Sequence, residues 1–106
     1  MDSKMLRKYQ MQATILKSVA HPTRIFLLEE LAQQERCVCE LAELVGADIS
    51  TVSRHLTILK NAGIVRDDKR GVQVYYNLQA PCALSFLSCV ENIIKINLKT
   101  QQELVA

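Results

Sequence analysis

"DISTVSRHLTILKNAGIVRDDKRGVQVYYNL", residues 48–78, changes its hydrophobic period halfway along. In its first half Val52, Leu56 and Leu59 recur at i, i+4 and i+7, a spacing that gathers apolar side chains on one helical face. Asp48 or Ser50 can cap the start, because a short side-chain oxygen accepts an orphan amide there. Gly63 suits the far end. Beyond it the period becomes two, with Val65, Asp67 and Lys69 on one side, "KRGV" as a turn and "VQVYYNL" returning. That pattern predicts a β-hairpin.

The outward face of this helix is unusual. Ser50, Thr51, Ser53, Arg54, Thr57 and Lys60 are all short hydroxyl or cationic side chains, and no acid stands between Ser50 and Arg66. A merely solvated face favours Glu and Lys, which have better helix propensity and form supporting pairs. Small hydroxyls let a helix approach base edges and phosphates, and arginine can bond guanine with two donors. The hairpin tip adds Lys69 and Arg70, placed to reach phosphates or a neighbouring minor groove. Asp67 and Asp68 would repel phosphate, so they are expected to face away from it.

Upstream, "GADI" is a short turn after a helix running from about Cys39 to Val45, with Gly46 as its stop. Two helices joined this way have helix-turn-helix spacing. Before them, residues 23–33 place Ile25, Leu28 and Leu31 on a core stripe, with Phe26 and Leu27 beside it. Residues 4–19 carry Leu6, Tyr9, Ala13, Leu16 and Val19 at helical spacing. "HPTR" separates the two, since proline disfavours helix at His21 and suits the next first turn. Downstream, Pro81 opens a last helix through roughly Thr100, with Leu84, Phe86, Leu87, Val90, Ile93, Ile94 and Leu98. The fold class is therefore mainly α with a small β-hairpin, in the order α-α-α-α-β-β-α, and residues 1–106 form a single domain. The first and last helices hold more apolar surface than so small a chain can bury, which points to a homodimer built on them.

Composition bounds the partners. Apolar residues make up 49% and charged residues 23% of the 106, an ordinary globular balance, and 3 glycines and 2 prolines leave room for long helices. No apolar run approaches the roughly 20 residues that span a bilayer, and "MDSKMLRKYQ" lacks a signal-peptide core. The expectation is a cytoplasmic protein with no membrane partner. The net charge of +2 is small, but its distribution is uneven. Glu29, Glu30, Glu35, Glu40, Glu43 and Asp48 oppose Arg36 in residues 25–48. Arg54, Lys60, Arg66, Lys69 and Arg70 then outweigh Asp67 and Asp68, as a phosphate footprint requires. There is no phosphate loop, no paired catalytic carboxylates and no placed cysteine–histidine pair, so an enzyme is not expected.

The 4 cysteines are the remaining chemistry. A reducing compartment disfavours structural disulfides, which leaves metal, metalloid or redox chemistry, or burial. Two residues apart in a regular helix, Cys37 and Cys39 would point about 200° apart. They can share a ligand only if Cys37 lies before the helix and Cys39 in its first turn. The helix dipole and adjacent Arg36 favour thiolates there. Cys82 and Cys89, seven apart on the last helix, share one face about 11 Å apart along the axis and cannot chelate one ion together. Both also suit a buried apolar position. His21 and His55 are the chain's 2 histidines, and His55 is expected to orient or pack within its helix rather than bind metal.

Taken together, "LAELVGADISTVSRHLTILKNAGIVRDDKRGVQVYYNL" closely resembles the winged helix-turn-helix repressors of the ArsR/SmtB family. The likeness rests on Val52-Ser53-Arg54-His55-Leu56, Ala62-Gly63-Ile64-Val65, Arg70-Gly71 and Tyr76-Asn77-Leu78. "ILKSVAHPTRIFLLEEL" adds Leu16, Pro22, Arg24 and Leu27-Leu28. The resemblance implies a homodimer that occupies double-stranded operator DNA and leaves it when an inducer binds, with no permanent cofactor. It carries the DNA-contacting positions onto Ser50, Ser53, Arg54 and the hairpin. Arsenic-responsive members have a Cys-Val-Cys-acid-Leu-Cys box, and Cys37-Val38-Cys39-Glu40-Leu41 matches it until Ala42. A third thiol must then come from Cys82 or Cys89, or the site is two-coordinate, or it takes no metalloid. The expected inducer is arsenite or antimonite. Thiol oxidation, reactive sulfur species or a soft divalent metal remain as alternatives, and a thiol buffer is a rival of another class.

Overall fold

A computed structural model describes residues 1–105. The elements run α1 (Ser3–Val19), α2 (Pro22–Gln33), β1 (Arg36–Cys37), α3 (Val38–Val45), α4 (Ile49–Asn61), β2 (Val65–Arg70), β3 (Gln73–Leu78) and α5 (Cys82–Val105). The expected architecture is present, with one addition and several shifted boundaries. The addition is β1, a two-residue strand that makes the hairpin a three-stranded antiparallel sheet in the order β1-β3-β2. Two residues cannot display a period of two, so nothing local announces the strand.

The boundaries follow from caps. The Asp48 side chain accepts from the Thr51 amide at 2.8 Å and so caps α4. Ser50 instead donates its hydroxyl to the same carboxylate at 3.1 Å. Helix α3 begins at Val38, one residue earlier than its hydrophobic spacing suggests, because Cys37 is the N-cap. At its other end Gly46, with φ of +79°, adopts the left-handed conformation that closes a helix without a Cβ clash. Helix α5 runs to Val105 rather than to about Thr100. In the wing turn Gly71, with φ of +63°, occupies the first central position of the two-residue connection between β2 and β3.

Leu27, Leu28, Leu41, Val52, Leu56, Leu59 and Val65 are fully buried and tie α2, α3, α4 and β2 into one core. Burying each such leucine contributes about 1.5–3 kcal/mol. On α2 the buried stripe is Leu27, Leu28 and Leu31, while Ile25 is only half-buried. The three-residue link between α3 and α4 thus holds the second helix of the pair by its apolar face and turns the hydroxyl face outward. Outside the core, α1 and α5 keep Leu6, Tyr9, Ile15, Leu16, Phe86, Ile93 and Ile94 exposed. An apolar groove of about 290 Å³ lies between them, lined by Leu16, Val19, Ile25, Phe86, Leu87 and Val90 among others. No helix among the described residues is long and apolar enough to cross a membrane.

Candidate nucleic-acid interface and thiol pair

The outward face of α4 carries Ser50, Arg54, Thr57 and Lys60 exposed, with Thr51 and Ser53 half-buried. These side chains are not equally free. Thr57 donates its hydroxyl to the Ser53 carbonyl one turn back at 2.9 Å. Arg54 touches only the Thr51 hydroxyl, at 3.5 Å, and has no carboxylate partner among the described residues. Lys60 is different: its ammonium meets Asp67 of β2 at 2.9 Å. That pair holds the Asp67 carboxyl below its usual range and raises Lys60. Asp67 thus turns to its own protein, as expected, but it takes Lys60 with it.

Arg70 departs further from the picture of a free basic tip. Its guanidinium meets both oxygens of Glu35, at 2.5 and 2.8 Å, and donates Nε–H to Asp68 at 3.0 Å. It also lies over the Tyr75 ring at 4.5 Å from the centroid. Asn77 donates to Glu35 at 2.8 Å, so the carboxylate is held from two sides and pushed below its usual range, chiefly by Arg70. Lys69 and Arg66 are exposed and have no acidic partner among the described residues. Sequence reasoning did not single out Glu35, whose pairing with Arg70 spans 35 positions and leaves no local signal.

Behind α4 sits a cluster that orients it. Arg24 donates Nε–H to the Ser18 carbonyl at 2.5 Å and an Nη1–H to His55 Nδ1 at 3.1 Å. An arginine can only donate, so His55 accepts there and carries its proton on Nε2. His21 caps α2 through Nδ1 and packs on His55 with ring centroids 4.5 Å apart. His55 therefore packs and orients, as its position suggested. Burial, then the charges of His21 and Arg24, push its pKa below the ordinary value. The sign follows: the fold favours the neutral ring, so this contribution is full above about pH 6.5 and falls as pH drops through the depressed folded value. The thermal midpoint should fall between about pH 7 and about pH 5, and His55→Gln should make that fall smaller. An unchanged slope in melts across this range would mean the ring does not titrate with folding.

The thiol pair has the geometry the spacing demanded. Cys37 is the N-cap of α3 and Cys39 lies in its first turn. The Glu40 amide donates to Cys37 Sγ at 3.4 Å, and Glu40 Oε1 accepts from the Cys37 amide at 3.2 Å. This is a capping box with sulfur in place of the usual oxygen. Cys37 is buried and Cys39 exposed. Cys39 donates to Gln73 Oε1 of the wing at 3.4 Å. The surroundings of Cys37 oppose the thiolate that a helix start favours. Burial pushes its thiol above the ordinary value, and the neighbouring Cys39 thiol adds to the rise. Arg36 does not offset this, because its guanidinium is committed to Glu30 at 3.6 Å and Glu40 at 3.3 Å.

Among the described residues no third ligand joins the pair. Ala42 packs in the core. Cys82 and Cys89 are exposed on α5, and Cys82 lines an apolar groove with Ile15, Leu16 and Val19 of α1. Among the described residues no group of three Cys, His, Asp or Glu side chains is arranged to hold a metal ion.

A short helix pair with a hydroxyl-and-arginine face, followed by a β-hairpin, defines a winged helix-turn-helix DNA-binding protein. Residues 21–67 match the family described as "Bacterial regulatory protein, arsR family". An HTH-type transcriptional regulator of Methanocaldococcus jannaschii is 39% identical over 72 residues, which are 67% of this chain and 81% of that protein. A transcriptional repressor SmtB homolog of Synechocystis sp. is 38% identical over 73 residues, 69% of this chain and 55% of that longer one. A homodimeric winged helix-turn-helix DNA-binding domain from Mycobacterium bovis, a possible ArsR-family regulator, superposes with a TM-score of 0.78 at 25% identity, covering 94% of this chain and 93% of that one. The chain belongs to the arsR family of bacterial regulatory proteins. It is a DNA-binding transcriptional regulator, not an enzyme.

Proposed function

We propose that this regulator is a cytoplasmic homodimeric repressor, released from its operator when arsenite or antimonite takes Cys37 and Cys39. The observation that carries the reading is the placement of two thiols at one helix start, Cys37 as N-cap and Cys39 beside it. That helix is the first of the DNA-reading pair and packs directly on α4. Dimerisation is supported by the exposed apolar faces of α1 and α5 and by the homodimeric state of the M. bovis relative. Ser50, Thr51, Ser53, Arg54, Thr57 and Lys69 contact DNA, with Arg54 the dominant cation. Lys60 reaches phosphate only by leaving Asp67, while Arg70, held by Glu35 and Asp68, sets the position of the wing tip rather than serving as a free cation.

Two protein thiols suffice to hold trivalent arsenic. Two of the three As–O bonds of arsenous acid are replaced by As–S bonds, the two thiol protons leave in two waters, and one hydroxide remains on arsenic. A third thiol, from Cys82 or Cys89 of the second subunit, could replace that hydroxide. Peroxide sensing is favoured less, because a thiol raised by burial is a poor nucleophile. A divalent soft metal would bind the same pair with a different proton balance. Cadmium must expel the two thiol protons to solvent, so its affinity should climb steeply from about pH 6 to about pH 8. Arsenite affinity should stay nearly flat there, since its protons leave as water. Calorimetric titration of both ligands across that range checks this, and a steep arsenite dependence would contradict the balance given. The function itself is tested by duplex binding titrated with arsenite, zinc, cadmium and peroxide. Release by peroxide but not by arsenite would refute it.

A further inference from the structure

The segment that carries the thiols is also part of the wing. Through β1, Arg36 pairs with Tyr76 and Cys37 with Tyr75, so the cysteine box continues out of the wing sheet. Two of its side-chain contacts run to the wing tip. Glu35, just ahead of the strand, takes Arg70 with both oxygens, and Cys39, just after it, donates to Gln73. Arg70 and Gln73 are themselves register partners. They form the last rung of the hairpin before the exposed Gly71-Val72 tip. Both contacts therefore converge on one rung, at the part of the wing that would meet DNA.

We propose that Glu35 is the coupling residue of this regulator, a clasp on Arg70 through which occupancy of Cys37 and Cys39 resets the wing tip. The inference rests on the thiol pair being the inducer site, and it adds how that site is heard by the DNA-binding surface. Ligand capture uses the Cys37 sulfur that now accepts the Glu40 amide, which undoes the sulfur half of the capping box and loosens β1 where Glu35 is anchored. It also removes the Cys39 proton that now bonds Gln73. One event thus releases both ends of the Arg70–Gln73 rung. The clasp matters because a guanidinium gripped by a bidentate carboxylate moves with it, whereas a free arginine on a hairpin tip would not report the state of a distant thiol. Asn77 holds the second Glu35 oxygen and keeps the carboxylate in the plane Arg70 needs.

Coupling between two sites is measured as the factor by which one ligand changes affinity for the other, typically 5–150-fold. The probe is a labelled duplex enriched by the wild-type protein from random-sequence DNA, followed by anisotropy, with sodium arsenite as first reagent. Wild type should lose about tenfold or more in duplex affinity on arsenite loading. Glu35→Gln keeps the size and one acceptor oxygen but loses the bidentate charge, and should lose less than about threefold while its thiols still titrate fully. Gln73→Ala should give an intermediate loss. A Glu35→Gln protein released as strongly as wild type overturns the proposal. A second arm separates this from the choice of inducer. In a Cys82→Ser, Cys89→Ser background, iodoacetamide alkylates exposed Cys39 ahead of buried Cys37, breaking the Gln73 bond without any metalloid. If arsenite fails on wild type but alkylation weakens duplex binding in a Glu35-dependent way, the inducer assignment falls and the clasp stands. If neither reagent changes wild-type affinity, the thiols are not coupled to DNA and the clasp falls too.

Discussion

Arg54→Ala is expected to weaken duplex binding by roughly ten- to a hundredfold, the ~1–3 kcal/mol of a well-placed guanidinium contact. The reason lies in what the other cations are doing. Lys60 is already neutralised by Asp67, and Arg70 by Glu35 and Asp68. Of the two α4 cations, Arg54 presents its charge beside small hydroxyls and forms no salt bridge among the described residues. Its removal therefore costs an interaction that needs no internal bond to be broken first. Lys60→Ala should cost less, within about threefold, because part of any phosphate contact is spent on leaving Asp67. The slope of log affinity against log salt should drop by about 1 for Arg54→Ala if it contacts phosphate. If it reads guanine instead, the slope stays and discrimination between duplexes falls. Affinity and slope both unchanged would remove Arg54 from the interface.

Cys37→Ser and Cys39→Ser should each abolish release by arsenite, and both proteins should remain folded and bind duplex. Serine is an informative replacement here because the structure already uses Cys37 as serine is ordinarily used. Its Oγ can accept the Glu40 amide as the sulfur does, and oxygen is the better acceptor. The thermal midpoint of Cys37→Ser should therefore not fall. Cys37→Ala, by contrast, leaves the amide uncapped at a cost of about 1 kcal/mol. Serine at 39 can still donate to Gln73. What both serines lose is affinity for a soft, thiophilic ligand. Normal release of either serine variant by arsenite would show that the site lies elsewhere, with Cys82 and Cys89 the remaining thiols. Serine at either of those positions separates a two-coordinate site from one completed by the second subunit.

Much of the fold was legible because it is local. Val52, Leu56 and Leu59 recur at helical spacing on one side of α4, and their burial is what the spacing demands. Asp48 and Gly46 punctuate the helices by rules that act over a few residues. The change of period at Gly63 announced the hairpin for the same reason. The candidate site was legible in kind but not in state. Ser50, Arg54 and Lys69 face outward as expected, yet nothing near Lys60 or Arg70 in the chain shows that Asp67 and Glu35 hold them. The thiol pair was visible by spacing, while the burial that opposes a thiolate at Cys37 was not. Helix dipole and Arg36 are adjacent in the chain, but burial depends on what packs over Cys37, and Arg36 turns to Glu30 and Glu40.

The sequence by itself therefore determined the helix-turn-helix, the wing and the hydroxyl-and-arginine face, since periodicity, caps and turn glycines are written within one or two helical turns. Tertiary structure alone decided three other things. It added β1 to the wing sheet, it clasped Arg70 to Glu35, and it left Ala42 in the core with Cys82 on a different groove. Each of these is a meeting of segments far apart in the chain, or a loss of solvent around a single atom. Such meetings are set by how the helices pack, and no short stretch of residues carries them.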